Sequence, residues 1–209
     1  MIDARIAAII PVGTLEAAKS RLGGALDAEE RQDLAERFLA RTIGAALTVD
    51  RLADVVVVSP DREVLQRAAD IGARTLRQRT RGLNAGLAEA REDVVAGGAD
   101  AILVLPIDLP FVTAEAITAV LAPIDNGGPD SRVVLVTDRH GSGTNVLALR
   151  PPGAIDFFFG PGSRQAHREA AAASGATYTE IGGPLAFDLD TPADLVLFEA
   201  MAPEGIRAS

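Results

Sequence analysis

Ala101-Ile102-Leu103-Val104-Leu105-Pro106-Ile107-Asp108-Leu109-Pro110 is the stretch on which the fold turns. Its first five residues form the most apolar strand candidate in the chain, without the polar alternation of a half-exposed strand, as expected for a strand covered on both faces of a parallel sheet. Prolines at 106 and 110 punctuate its end and leave Asp108 at the carboxyl edge, where ligands bind in open α/β folds. Residues 5–12 repeat the pattern: an apolar run ending in Pro11-Val12 and followed by Gly13 reads as a second buried parallel strand.

Working outward, strands are expected at 55–58, 74–76, 133–136, 146–149 and 177–181, with a short strand or bend at 157–159. Helices alternate with them. One starts at Asp27, with Glu30 three residues on and Leu34, Phe38, Leu39, Ile43 and Leu47 along one stripe. Others span 62–71, stopped by Gly72, and about 83–95, stopped by Gly97-Gly98. A helix capped by Thr113 should stop before Pro123, and one capped by Ser163 should end at Gly175. Thr191-Pro192-Ala193-Asp194 opens the last as a capping box with proline at its first position. The alternation predicts a largely parallel sheet between helices, one domain over 1–202 and a frayed tail at 203–209. Residues 13–26 form a long loop after the first strand, a usual place for phosphate handling.

At 209 residues and 48% apolar composition, the chain can bury a sizeable core. No apolar run approaches the roughly 18–20 residues of a membrane span, and the start of the chain carries no export signal, so a cytoplasmic protein is expected. Zero Cys excludes disulfides and thiolate metal sites, and two His leave little for an imidazole site. Any metal must be held mainly by oxygen, which favours magnesium. A net charge of −9 argues against nucleic-acid partners. An anionic substrate would need local cations, and among 20 basic residues the single Lys is Lys19.

Residues 13–20, Gly-Thr-Leu-Glu-Ala-Ala-Lys-Ser, approach a phosphate-binding P-loop but have Ala18 where its second glycine should stand. Lys19 and Arg21 can instead reach a polyphosphate from an open turn. Asp188-Leu189-Asp190 places two carboxylates on one side of an extended segment, an arrangement that a cation shared with Asp108 would explain and that helix capping explains for Asp190 alone. Two glycine-punctuated segments, 138–145 and 159–163, offer hydroxyls and backbone donors, and neither completes a dinucleotide fingerprint. Ser163 at a helix start suits an anion or a plain N-cap. His140 beside Arg139 suits an anionic group, and His167 reads as structural.

Seven collinear stretches resemble one family, the 2-phospho-L-lactate/phosphoenolpyruvate guanylyltransferases of coenzyme F-420 biosynthesis. They are Ile9–Val12 with Ala18–Leu22, Val57–Asp61, Gly82–Ala85, Leu105–Pro110, Asp138–Asn145, Phe159–Ser163 and Asp188–Asp194. The resemblance implies a single-domain three-layer α/β sandwich with a mixed, mostly parallel sheet, like the molybdopterin and sugar nucleotidyltransferases (GT-A-like). It also implies GTP and a small phosphorylated carboxylic acid as partners, phosphoenolpyruvate ranking first, with pyrophosphate released and Mg2+ as cofactor. By position, Lys19 and Arg21 would bind the triphosphate. Pro11, Val12, Ser59, Asp61, Gly82 and Asn84 would surround the nucleotide. Asp108 and Asp190, with Asp188, would hold magnesium, and Thr144, Gly160 and Ser163 would bind the acid. Gly13 stands where many members have Lys, and Ile107 where Ala or Gly is commoner. The rival expectations are a P-loop ATPase or kinase, which would release phosphate or ADP, and a non-catalytic GTP-binding module. The sequence leaves the oligomeric state open, a homodimer included.

Overall fold

A computed structural model describes residues 4–14, 22–125 and 130–202. Lys19, Arg21 and the expected tail at 203–209 lie outside the described residues. Among the described residues, seven strands and six α-helices follow in chain order: β1 (Ile6–Pro11), α1 (Ala28–Leu47), β2 (Leu52–Ser59), α2 (Arg62–Ile71), β3 (Arg74–Arg77), α3 (Leu83–Ala96), β4 (Ala101–Val104), α4 (Ala114–Asp125), β5 (Arg132–Thr137), β6 (Thr144–Arg150), α5 (Ser163–Ser174), β7 (Thr177–Ile181) and α6 (Pro192–Met201). The sheet order is β3-β2-β1-β4-β6-β5-β7. β1 pairs in parallel with β2 and β4, β2 with β3, and β5 with β7, while β6 runs antiparallel to both β4 and β5. The sheet is mixed, with one strand reversed.

Alternate residues of the central strands face opposite layers. Ile6, Ala8, Ile10, Val55, Val57, Leu103, Val134 and Val136 pack with α1, α2 and α4. Ala7, Ile9, Val56, Val58, Ile102, Val104, Leu135 and Leu147 pack with α3, α5 and the buried Phe157. A third cluster, including Phe38, Leu189, Leu195 and Phe198, seats α6 against α1. Each Val, Leu, Ile or Phe among them taken fully out of water contributes about 1.5–3 kcal/mol, which is why strands with no polar face belong in the middle of the stack. No helix among the described residues is long and apolar enough to cross a membrane.

Local signals place most helix ends. Asp27 and Glu30 form the expected reciprocal capping box, as do Thr191 and Asp194. Three expectations fail. α4 runs through Pro123 to Asp125. Arg132 and Arg150 donate to the carbonyls of Pro123 and Ile124, and Ile124 is fully buried, so tertiary contacts hold the last turn beyond the proline. Residues 157–159 are irregular, with no strand pairing: the backbone is pinned by side chains instead. Ser163 is the first residue of α5, and the N-cap is Gly162 at φ 74°, with no side-chain cap. A left-handed cap suits glycine because no Cβ opposes it, and the Ser163 N–H is satisfied by the Gly160 carbonyl at 3.1 Å.

Candidate active site

β1 and β4 lie side by side, but the chain leaves β1 towards β2 and leaves β4 towards β5. Connections that part in this way open a crevice at the carboxyl ends of the strands. A cleft of about 710 Å³ lies there. Its wall includes Pro11–Thr14 after β1, Pro106–Asp108 after β4, residues 138 and 142–145 of the β5–β6 hairpin, 159–163 before α5, and Asp188, Asp190 and Asp194.

The carboxylates converge through the backbone. The Leu189 N–H donates to the Asp108 carbonyl at 2.9 Å, so the residues on either side of Leu189 are brought against the end of β4. Burial, and secondarily the charge of Asp190, pushes the Asp188 carboxyl above its ordinary range, against the effect of a hydrogen bond from Asn145. Asp194 secures the same segment: its Oδ2 accepts from the N–H groups of Asp190 (3.0 Å) and Thr191 (2.7 Å), and its Oδ1 pairs with the Arg139 guanidinium. Arg139 also donates to His140 Nε2 at 3.2 Å, so the hairpin loop and the Asp188–Asp190 segment are tied to one another.

The hairpin loop is built around Asp138. Its carboxylate accepts from the N–H groups of Ser142 (2.8 Å) and Gly143 (2.9 Å). Burial acts to raise the Asp138 pKa, but these amides and the Ser142 hydroxyl outweigh it and hold the group below the usual carboxylate range. A Cβ on Gly143 would lie 2.7 Å from Asp138 Oδ2, so the close approach of carboxylate to backbone requires glycine. Arg164 closes the loop from outside, donating to the Gly141 carbonyl at 3.1 Å while pairing with Glu180.

Of the sequence-predicted residues, Pro11, Val12, Asp108, Thr144, Gly160, Ser163, Asp188 and Asp190 line the cleft together. Ser59, Asp61, Gly82 and Asn84 do not. Ser59 is fully buried, donates to the Gly13 carbonyl (3.3 Å) and accepts from the Asp61 N–H (3.1 Å), which braces the turn after β1 from behind. Asp61 caps α2, and Gly82 is the N-cap of α3. Asn84 uses both ends of its amide on Phe159, donating to its carbonyl at 3.0 Å and accepting from its N–H at 2.9 Å. The free helix amides expected at Ser163 are also partly committed, because the Arg164 N–H donates to the Ser142 carbonyl at 3.3 Å. Leu83, from the Gly82–Ala85 stretch that the resemblance places at the nucleotide, does reach the wall, and so do Thr14 and Asp194, to which sequence reasoning gave no ligand role: Thr14 lies in the P-loop-like segment without being one of its signature positions, and Asp194 reads as a plain capping residue.

Residues 6–201 match the family model described as "Guanylyl transferase CofC like". The chain is 42% identical over 199 residues to a phosphoenolpyruvate guanylyltransferase of Sphaerobacter thermophilus, covering 95% of this chain and 94% of the relative. It is 44% identical over 194 residues to one of Rubrobacter xylanophilus, covering 92% and 93%. Among solved structures, a nucleotidyl transferase of Methanothermobacter superposes with a TM-score of 0.63 at 18% identity, covering 93% of this chain and 95% of that one. CMP:2-keto-3-deoxy-manno-octonic acid synthetase complexed with CTP superposes with a TM-score of 0.62 at 16% identity, covering 95% and 98%. These two share the nucleotidyltransferase, GT-A-like fold with the chain. With a family match that runs from β1 to the end of α6, this chain belongs to the CofC-like guanylyl transferase family and is a nucleotidyltransferase.

Proposed function

We propose that the chain transfers GMP from GTP to the phosphate of phosphoenolpyruvate, releasing pyrophosphate. One observation carries the reading. Asp108, Asp188 and Asp190 on one wall and Thr144, Gly160 and Ser163 on another share one cleft, in a chain closely similar along its length to phosphoenolpyruvate guanylyltransferases. A phosphate oxygen of the acid attacks the α-phosphorus, and the bond from that phosphorus to the bridging oxygen of the β-phosphate breaks. A phosphate monoester has a second pKa of about 6, so the nucleophile is already ionised at neutral pH and no general base is required. The wall agrees with this. Its imidazole, His140, receives a hydrogen bond from Arg139, and no nucleophile–base–carboxylate triad is assembled there among the described residues.

What the reaction needs is alignment and relief of repulsion between polyanions. The described cleft wall holds five Asp and no Lys or Arg, so the positive charge must come from elsewhere. Lys19 and Arg21 follow the wall residue Thr14 by five and seven positions in the sequence, and they take the triphosphate role. Carboxylate oxygens from among Asp108, Asp188 and Asp190 suit Mg2+, a hard cation, and a cation there would offset both the burial that chiefly raises the Asp188 carboxyl and the charge of Asp190 that adds to it. Among the described residues no three acidic or His side chains stand close enough to cage a metal alone. That suits magnesium, which uses one or two carboxylates together with substrate phosphates and water. When bound, it supplies charge neutralisation across the phosphates. Thr144, with Ser163 and the Gly160 backbone, holds the acid.

The test is pyrophosphate release from GTP and Mg2+ with phosphoenolpyruvate, 2-phospho-L-lactate or 3-phosphoglycerate in turn. Pyrophosphate formed fastest with phosphoenolpyruvate is expected. Release of inorganic phosphate or GDP would refute guanylyl transfer, and preference for another acid would replace the acceptor.

A further inference from the structure

His167 is fully buried on α5, one helical turn after Ser163 and therefore on the same face. It does not line the cleft, yet one ring nitrogen meets the wall residue Thr144 and the other holds the backbone of Phe158, which precedes the wall residues Phe159 and Gly160. Nε2 accepts the Phe158 N–H at 3.0 Å, and Nδ1 lies 2.9 Å from Thr144 Oγ1. The ring is packed edge-on against Phe158 and Phe159, centroids 5.9 and 5.1 Å away. A backbone N–H can only donate, so Nε2 carries no proton, and a neutral imidazole then carries its proton on Nδ1. Burial keeps the ring neutral by driving its pKa down to about 4. Thr144 must therefore accept from His167. A hydroxyl has one proton, and with the oxygen engaged as acceptor that proton is left for the cleft.

We propose that His167 is a positioning residue: it sets the Thr144 hydroxyl as a donor towards an anionic oxygen in the cleft and, with Asn84, holds the 158–160 wall in place. This rests on the reading of Thr144 as part of the acid-binding half. Asn84 secures Phe159 from α3 while His167 secures Phe158 from α5, so the segment leading to Gly160 is gripped from two helices. The chemistry selects carboxylate or phosphate oxygens, which accept without offering a competing proton.

Steady-state kinetics with His167→Gln, His167→Asn, Thr144→Val and the His167→Gln/Thr144→Val double variant test the assignment. Loss of one hydrogen bond to a charged oxygen predicts a KM for the acid raised about tenfold in the Gln and Val single variants, with the KM for GTP changed little. The double variant should be no worse than either single one, because both act through one hydroxyl. Asn, whose amide nitrogen falls near the Nδ1 position, should recover part of the loss, and Gln, which reaches only towards Phe158, should not. Multiplicative effects in the double variant, or equal rises in both KM values, would overturn the proposal. Nitrogen-15 NMR of the wild-type imidazole keeps it testable if the buried variants do not fold. A protonated Nδ1 with a bare Nε2 is expected, and the opposite tautomer or an imidazolium at neutral pH refutes it. Failure of the functional reading appears differently, as a wild-type protein that turns over none of the acids.

Discussion

Asp194→Asn tests the tie between the two sides of the cleft. Asp194 is 3% exposed, and its carboxylate serves the N–H groups of Asp190 and Thr191, the Thr191 hydroxyl at 2.9 Å and the Arg139 guanidinium. An asparagine has one acceptor end, so in either orientation its NH2 group faces donors. Removing one partner of a buried pair costs about 3–5 kcal/mol. The Arg139 side chain keeps 24% of its exposure, so water can solvate part of the released charge and about 2–3 kcal/mol is the expected loss. With an unfolding entropy of about 2.1 cal/mol/K per residue, that lowers Tm by roughly 5–7 °C for a chain of 209 residues. Calorimetry or urea unfolding of wild type and variant measures it, and turnover should fall as well, because the Asp190 segment loses its anchor. The pH dependence has a definite sign. Burial acts to raise the Asp194 carboxyl, but the hydrogen bonds from Thr191 and Asp190 and the charge of Arg139 outweigh it, and the folded-state pKa lies below the ordinary one. The stabilisation is therefore whole above about pH 4 and lost as pH falls through the folded-state value, so the two proteins should converge in acid. A Tm within about 2 °C of wild type at pH 7 would refute the reasoning.

Asp108→Asn should reduce kcat by about two orders of magnitude or more while the protein stays folded, since the Leu189 N–H bonds to the Asp108 backbone and not to its side chain; near-normal turnover would remove Asp108 from the mechanism. Gly143→Ala would place a Cβ against the Asp138 carboxylate, and the displaced loop should raise the acid KM several-fold and lower the unfolding midpoint; unchanged kinetics would show that the loop adapts. His167, neutral in the fold with a pKa of about 4, binds its proton later than the unfolded chain does on acidification. Stability should be whole above about pH 6.5 and fall by at most about 3 kcal/mol as pH drops towards 4, a component that urea unfolding of His167→Gln should lack.

Helix starts were legible where the signal is local. Asp27, Asp61 and Thr191 each sit within three residues of the backbone group they cap, and such pairs are written side by side in the chain. The strands of the core were legible because no polar residue interrupts them. What escaped depends on partners far away in sequence. Pro123 ends a helix in isolation, yet here Arg132 and Arg150 hold the turn beyond it. Asn84 has the look of a ligand contact, but its partner Phe159 lies 75 positions on, and only the fold shows that the amide is consumed. Arg139 and Asp194, 55 positions apart, are each unremarkable alone. The half of the site made of strand ends was readable, because an Asp after a buried strand points to the carboxyl edge whatever the topology. The half made by the hairpin was recognised only by resemblance.

The reversed strand explains why that half needed more than periodicity. β6 has seven residues, which span about 20 Å along a strand. Had it run parallel to β4, Thr144 would start at the far edge of the sheet, about that distance from Asp108. Because β6 pairs antiparallel with both neighbours, its first residues lie beside the end of β4, with Val104 opposite Leu147. The hairpin loop from β5 is then carried onto the same edge, where Asp138 orders it. α5 starts at that edge and runs away from it, which puts Ser163 on the wall and His167 one turn behind, within reach of Thr144. Neither the direction of β6 nor the start of α5 is encoded in an apolar period of two or 3.6, since both patterns read the same in either direction along the sheet. The parallel strands can therefore offer a crevice and carboxylates in many chemistries, and the reversal supplies a second wall with hydroxyl donors facing them. Perturbations of the hairpin should thus alter the acid KM, while those at Asp108 should alter turnover itself.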